Sequence, residues 1–386
     1  MKPPAGAGAR PPAGARRLAI EAVAAVDAGA RANVVVPALL ARSDLAARDR
    51  AFVTELVYGT VRMRRACDWL VDRFARGRLD REVRAALRVG AYQIAFLGTP
   101  RHAAVSATVS AVDGPGRRVV NAVLRRVADL VDAGGALWPD RATQLSYPDW
   151  IIEVLVEDLG PADAWAAMAE MNRAATATTR PDGYVQDRAS QMAAAHVEAR
   201  RGERILDLCA APGGKATALA GGGAFVVAAD VDRARAAMVA ANAGRLGCAG
   251  ISVVVADGRQ SPLAASTFDR VLVDAPCSGL GVLRRRPDAR WRGRREDLGR
   301  LAGLQRQLVR SAIGLARPGG VVVYSVCTMT RAETAAIDSW LAKAHPDLEA
   351  LPPPPAPWRP AGRGALLLPQ DAGTDGMFLL ALRSRP

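Results

Sequence analysis

Lysine is almost missing from this chain. Of its 386 residues only Lys2, Lys215 and Lys343 are lysines, against 49 arginines. A GC-rich genome favours arginine codons and accounts for that exchange. It does not account for the excess of cations over acids, which gives a net charge of +14. A protein this basic is commonly a polyanion binder, because each Lys or Arg that meets a phosphate releases a counterion. Cysteine and histidine are also scarce, at five and three residues. No Cys-x-x-Cys occurs and the histidines lie far from any cysteine, so no metal site is expected. An odd, scattered set of thiols suits a reducing, cytoplasmic setting. No apolar run approaches the ~20 residues of a membrane span. The Pro/Gly/Ala/Arg-rich stretch from Met1 to Arg16 lacks the apolar segment of a signal peptide.

Half of the residues are apolar, so most of the chain can bury a core, and the length favours two domains over one. Residues 1–15 read as a disordered basic tail. From about Arg16 to Leu130 apolar residues recur at helical spacing, in Leu18–Val26, Phe52–Val61, Trp69–Phe74, Val83–Phe96 and Val119–Val131. The turn signals Gly98-Thr99-Pro100 and Asp113-Gly114-Pro115-Gly116 separate them. That is the pattern of an all-α bundle. Residues 1–150 hold 23 Lys/Arg against 14 Asp/Glu, and residues 151–386 hold 29 against 24. The helical part is the more basic per residue, which fits an RNA-docking module and a solvated helix surface equally well.

Two further amphipathic helices fill Asp149–Asn172, and the polar stretch Arg173–Gly183 reads as a linker. From Arg204 short apolar runs alternate with helices: Ile205–Leu208, Phe225–Ala229, Ile251–Ala256, Arg270–Val273 and Val321–Ser325, then Leu366–Leu368 and Met377–Leu382. Such alternation implies a mostly parallel sheet covered on both faces, with ligands beyond the carboxyl ends of its strands.

The first of these strands runs into Cys209-Ala210-Ala211-Pro212-Gly213-Gly214-Lys215. Small residues at a strand-to-helix turn let a ligand approach the backbone, and the helix N-terminus offers free N–H groups. The turn is neither a P-loop nor a GxGxxG fingerprint. A lysine here, in a chain that writes its cations as Arg, suggests that a point charge on a flexible stem is wanted. Asp230, with Asp232 just after it, ends the second strand at about the spacing that lets an acid hydrogen-bond a ribose. Asp257 ends the third, placed to accept from an adenine amino group. Each alone is more commonly a helix cap; three converging on one crevice point to an adenosine ligand. The fourth strand leads into Asp274-Ala275-Pro276-Cys277-Ser278-Gly279 and the fifth into Val326-Cys327-Thr328. A lone cysteine is usually a small buried hydrophobe, the reading given to Cys67 and Cys248. Two at strand ends point to chemistry, and the residues alone do not rank them.

The segments LDLCAAPGGK, VDAPCSGLGVLRRRPDARW and YSVCT resemble the cytosine-5 RNA methyltransferases of the Sun family. The runs RDRAFVTELVYGTVR, LRVGAYQIAFL and NAVLRR resemble the antitermination factor NusB, a domain joined to this methyltransferase in bacterial 16S rRNA cytosine-5 methyltransferases. The similarity covers about residues 16–140 and 184–386. It implies an all-α NusB-like helical bundle over 16–140, a helical connector and linker over 141–203, and an α/β Rossmann-like S-adenosylmethionine-dependent methyltransferase domain over 204–386. The implied cofactor is S-adenosyl-L-methionine, held by Cys209 to Lys215, Asp230, Asp257 and Asp274. The implied partner is RNA, foremost 16S rRNA, and the chain is expected to act as a monomer.

The implied chemistry adds a thiolate to carbon 6 of cytosine, which makes carbon 5 nucleophilic enough to take a methyl group. The target base must be unstacked for this. By the resemblance Cys327 is the nucleophile, Cys277 assists product release, and Asp274 recognises the base at N3 and N4. Three departures stand out. The RNA-binding subdomain usual in the family is reduced to about Ala174–Arg204, although VQDRASQ (Val185–Gln191) is kept. Thr328 replaces the family's Ser. Thr334 follows Glu333 where Asn is usual. Arg284–Arg295, with seven arginines and Trp291, suits RNA phosphates and base stacking. Two other readings stand beside rRNA methylation: methylation of tRNA or another RNA, and a non-catalytic RNA-binding assembly factor. Intact Lys215, Asp274, Cys277 and Cys327 speak against the last.

Overall fold

The structure, a computed structural model, describes residues 14–134 and 138–385. The expected basic tail therefore lies, up to residue 13, outside the described residues, and Ala15 already begins a helix. The chain divides into two compact units: residues 14–149 together with Arg286–Arg292, and residues 150–285 together with 293–385.

The first unit is helical: α1 (Ala15–Asp27), α2 (Ala32–Ala41), α3 (Ala47–Arg62), α4 (Arg64–Asp72), α5 (Arg81–Ala95), α6 (Arg101–Ser110), α7 (Gly116–Asp132) and α8 (Arg141–Leu145). Amphipathic spacing drives the assembly. Helix α1 turns Leu18, Ile20, Val23 and Val26 inward, and α7 turns Val120, Leu124 and Val127 inward. Helix α5 is central, with Ala85 to Ile94 buried on every side. Its Arg88 is buried too, and offsets that by donating to Asp68 (2.7 Å) and pairing with Asp27. Helices α2 and α6 were not anticipated. Helix α2 is a nearly unbroken apolar run with Pro37 inside it, and α6 is rich in Ala, Ser, Thr and Val; neither repeats a clear apolar stripe.

The Arg-rich stretch departs from its expectation. Its Ala289–Arg292 turn belongs to the helical unit. Arg290 is fully buried, its guanidinium 3.8 Å from the centre of the Tyr147 ring, donating to the carbonyls of Arg62 (3.2 Å) and Ser146 (3.3 Å). Trp291 donates its ring N–H to the Val61 carbonyl at 2.7 Å. Arg290 is taken up inside the protein, because a planar cation can satisfy itself on carbonyls and an aromatic face, and Trp291 is half-buried against the same unit. Neither is turned outward for stacking on RNA.

The second unit opens with α9 (Asp149–Leu159) and α10 (Pro161–Glu170), the two helices expected there, then α11 (Arg188–Ala195). The sheet follows: β1 (Arg204–Asp207), β2 (Phe225–Asp230), β3 (Ile251–Val255), β4 (Phe268–Asp274), β5 (Ala316–Val326), β6 (Glu349–Ala350), β7 (Arg359–Ala361), β8 (Gly364–Leu367) and β9 (Met377–Arg383). Its order is β3-β2-β1-β4-β5-β9-β8-β7, with β6 also pairing with β9. Strands β1 to β5 are parallel; β6 to β9 pair antiparallel. Side chains alternate across the sheet. Ile205, Val226, Leu272 and Val323 face a core shared with α11 and with α12 (Gly214–Gly221). Leu206, Val271, Val273 and Val322 face a second core. That core includes residues of α15 (Asp297–Leu315) and α16 (Ala335–Ala344). Helix α13 (Arg233–Arg245) follows β2. Connections run outward in both directions from β1 and β4, so this switch point is where a ligand crevice forms.

Candidate active site

The turn after β1 is built by packing as much as by a need for ligand space. Gly213 has φ +101°, a conformation L side chains rarely adopt, and a Cβ there would lie 3.1 Å from Val239. A Cβ on Gly214 would lie 2.9 Å from the Tyr184 ring. The glycines thus fit neighbouring side chains, where the sequence suggested an approach for a ligand. Arg180 braces the turn from behind. It is buried, donates to the Gly214 carbonyl and to Thr217 Oγ1 (3.0 Å), and reaches Gln186 Oε1 (3.1 Å). The stretch read as a linker is therefore an anchor. Asp187 of the VQDRASQ motif caps α11 by accepting from Ala189 N at 2.9 Å.

Lys215, in the first turn of α12, is buried and points at the end of β4. Its Nζ lies 2.7 Å from Asp274 Oδ2 and 3.3 Å from Ser190 Oγ. The second Asp274 oxygen accepts from Ser325 Oγ of β5 at 3.1 Å. Burial works against the charge of Lys215, but Asp274 outweighs it and the ammonium is held more firmly than usual, with Cys327 and Asp207 adding to the effect.

Asp207, the last residue of β1, was not singled out by the sequence reading. It is 1% exposed, and neither carboxyl oxygen has a well-formed hydrogen bond among the described residues; the backbone N–H of Cys209 is the donor that acts on it. Burial, reinforced by the charge of Asp274, raises its pKa to about 7. Asp230 is buried at the end of β2 and accepts from Ala211 N (3.3 Å) and Asp232 N (3.1 Å). Burial first, then the carboxylates of Asp207, Asp274 and Asp230, push up the Cys209 thiol. Three acids thus surround the turn with Lys215 among them.

The two expected cysteines meet. Cys277 follows β4, Cys327 follows β5, and their sulfurs lie 3.3 Å apart. Their loops are knitted together: Ala275 N donates to the Ser325 carbonyl (2.9 Å), Gly281 N to the Cys327 carbonyl (3.1 Å) and Gly376 N to the Gly281 carbonyl (2.8 Å). Both thiols lie among charged groups. Cys277 is held well above a free thiol by its hydrogen bond to Cys327, then by burial and the charges of Cys327, Glu333 and Asp274. Cys327 instead lies within the electrostatic reach of the cations Lys215 and Arg285. Arg285 is fixed by Asp375 at 2.7 Å.

A family model for 16S rRNA methyltransferase RsmB/F matches residues 194–383, and one for the NusB family matches residues 13–129. A putative methyltransferase of Mycobacterium tuberculosis is 37% identical, the alignment covering 97% of each chain. The chain belongs to the RsmB/F methyltransferase family. The ribosomal RNA small subunit methyltransferase B of Thermus thermophilus is 36% identical, over 95% of this chain and 97% of that one. The crystal structure of PH0851 has the same fold, with a TM-score of 0.77 at 22% identity, over 97% of this chain and 99% of that one. The Mycobacterium alignment runs to 449 positions against 386 residues here, so that relative carries residues this chain lacks.

As an RsmB/F-family protein, the chain is an S-adenosylmethionine-dependent rRNA methyltransferase with a NusB-like helical region. Of the cofactor residues expected from sequence, the Cys209–Lys215 turn bonds to Asp230 through Ala211 N and to Asp274 through Lys215 Nζ. Asp257 stands apart in its bonding: it caps a short turn and its carboxylate is taken by Arg259 (2.6 Å), which lowers its pKa to about 2. Among the described residues no group of three or more His, Cys, Asp or Glu could hold a metal ion, and no helix is long and apolar enough to cross a membrane. Cys67 is fully buried as read from sequence, whereas Cys248 is half-buried.

Proposed function

We propose that this methyltransferase acts on carbon 5 of a cytidine in 16S rRNA, with Cys327 as nucleophile, Cys277 serving product release and Asp274 recognising the base. One observation carries the reading: two sulfurs 3.3 Å apart at the carboxyl ends of adjacent strands, one with cationic neighbours and one with anionic neighbours. A thiolate is stabilised beside Lys215 and Arg285, which suits Cys327 to attack. A thiol is stabilised beside Glu333 and Asp274, which suits Cys277 to hold a proton.

The residues at the switch point fit the cofactor. Bound S-adenosylmethionine supplies a methyl group on a sulfonium and carries an ammonium group besides. Asp207 is a buried carboxyl with no cation bonded to it, while Asp274 is paired with Lys215 and Asp230 with Arg235; a positively charged ligand relieves Asp207. Asp207 is assigned to the ammonium and Asp230 to the ribose.

Cys327 Sγ bonds to carbon 6 of the base, and the ring's electron pair moves towards N3 and carbon 5. Asp274, clamped by Lys215 and Ser325, keeps a lone pair free to accept from the N4 amino group, and a proton held between it and N3 meets the charge that builds there. Once carbon 5 bears the methyl group, its proton passes to water, the electrons of that C–H bond restore the double bond, and Cys327 leaves as thiolate. Cys277 stands beside the breaking bond and assists that last step.

The test is to replace each cysteine. Cys327→Ala is expected to abolish methyl transfer. Cys277→Ala is expected to leave the protein covalently attached to its RNA, seen as a shifted band on a denaturing gel. Adducts formed by Cys327→Ala in its place would reverse the roles. Bisulfite sequencing of total RNA with and without the gene identifies the cytidine, and a modified tRNA position would replace the rRNA assignment.

A further inference from the structure

Glu333 is a fully buried acid that none of these steps uses. It stands in a short turn, Arg331–Glu333, after β5. Oε1 accepts from Ser278 N (2.8 Å) and Gln305 Nε2 (3.0 Å); Oε2 accepts from Ser278 Oγ (2.5 Å) and Thr330 Oγ1 (2.9 Å). Two of these donors come from the residue next to Cys277, and one from the loop of Cys327. The same knot holds further ends. Ser278 Oγ also meets Thr328 Oγ1 (2.8 Å), Gln305 Nε2 also donates to the Pro276 carbonyl (3.0 Å), and Tyr324 donates to the Glu333 carbonyl (2.7 Å). All four donors to the carboxylate are neutral groups, and none of its hydrogen bonds comes from a cation. The negative charge is therefore shared out but not cancelled, beside Cys277.

We propose that Glu333 is a positioning residue that ties the Cys277 loop to the Cys327 loop and keeps the proton shared by the two sulfurs on Cys277, leaving the thiolate on Cys327. This rests on the two-cysteine reading above and adds to it the group that decides which sulfur is charged. With one proton between them, the two sulfurs carry one negative charge. With the charge on Cys277 it would lie against Glu333; with the charge on Cys327 it lies towards Lys215 and Arg285. Asp274 also acts on Cys277, but its charge is matched by Lys215 at 2.7 Å. The remaining titratable neighbour, Tyr324, is itself held protonated by burial and by the charges of Cys277, Glu333 and Asp274. Glu333 is thus the one acid of the group whose carboxylate bonds show no cation.

Alkylation reads the charge on sulfur directly, without RNA or cofactor. The full-length protein is treated with a limiting amount of iodoacetamide at pH 7, and the modified peptides are counted by mass spectrometry. Wild type is expected to be labelled mainly on Cys327; labelling mainly on Cys277 overturns the proposal with no variant needed. Glu333→Gln is expected to lower the Cys327-to-Cys277 labelling ratio by about tenfold, the factor carried by one pKa unit of interaction. Ser278→Ala keeps the charge but removes one of its hydrogen bonds, and is expected to stay within about twofold of wild type. A Glu333→Gln ratio equal to wild type, or an equal fall in Ser278→Ala, overturns the charge role. In turnover, Glu333→Gln is expected to lower kcat and leave KM unchanged. If the ratio shifts as expected while Cys327→Ala still methylates RNA, the two-cysteine reading fails and the proton assignment stands.

Discussion

Lys215 Nζ lies 2.7 Å from Asp274 Oδ2, joining the first turn of α12 to the end of β4 across the switch point of the sheet. The pair couples the turn after β1 to the loop that carries Cys277. It is also where the site uses a residue type the chain otherwise avoids. A lysine places a compact charge at the end of a thin stem, and here that stem is buried.

Lys215→Met removes the charge and keeps the stem. Asp274 then lies partly buried beside Asp207 with only Ser325 to satisfy it. The expected loss is about 3 kcal/mol of unfolding free energy, typical of breaking a buried pair, measured by urea denaturation. Methyl transfer should fall with it. A variant as stable and active as wild type would remove the pair from the argument.

Asp207 gives a pH dependence with a definite sign. Its folded-state pKa, about 7, lies above the ordinary carboxyl value, so between about pH 4 and 7 the native state binds the extra proton. The stability this lends is fully present below the unfolded pKa and is lost as pH rises through 7. In cofactor-free protein, Asp207→Asn should therefore gain on wild type as pH rises from 4 to 8, by up to about 4 kcal/mol. Parallel Tm-against-pH curves for the two proteins would contradict the raised pKa. Saturating cofactor should narrow the difference, because its ammonium group gives the carboxylate a partner.

Gly281→Ala tests whether the two sulfur loops need their close approach. A Cβ there would lie 2.1 Å from the Gly376 carbonyl oxygen and 3.0 Å from that of Cys327. Backbone must shift, at a cost of about 1–3 kcal/mol, and the sulfurs must part. Turnover should drop by roughly a hundredfold, as ångström-scale misplacement of reacting groups does, while the melt stays cooperative. Wild-type turnover would show that 3.3 Å is not required.

Much of this protein is legible as a string. Parallel strands covered on both faces have to be apolar along their length, so β1 to β5 stand out, and each expected run falls within a residue or a few of its observed strand. Helices with one buried stripe are equally plain, which is why α1, α3 and α7 were found. Helices α2 and α6 were not, because their side chains do not alternate between apolar and polar faces at helical spacing. The short strands β6 and β7 carry too few residues to form a pattern.

The sequence by itself determined the residue types of the site and the strand ends that carry them, since both follow from local order along the chain. Only the tertiary structure decided what each group faces. It left Asp207 with no cation bonded to it, gave Asp257 to Arg259, buried Arg290 on Tyr147, and put cations near Cys327 and an acid near Cys277. The reason is physical: desolvation and Coulomb interaction depend on distance through space, and residues 274, 277, 327 and 333 come together only when β4 and β5 pair.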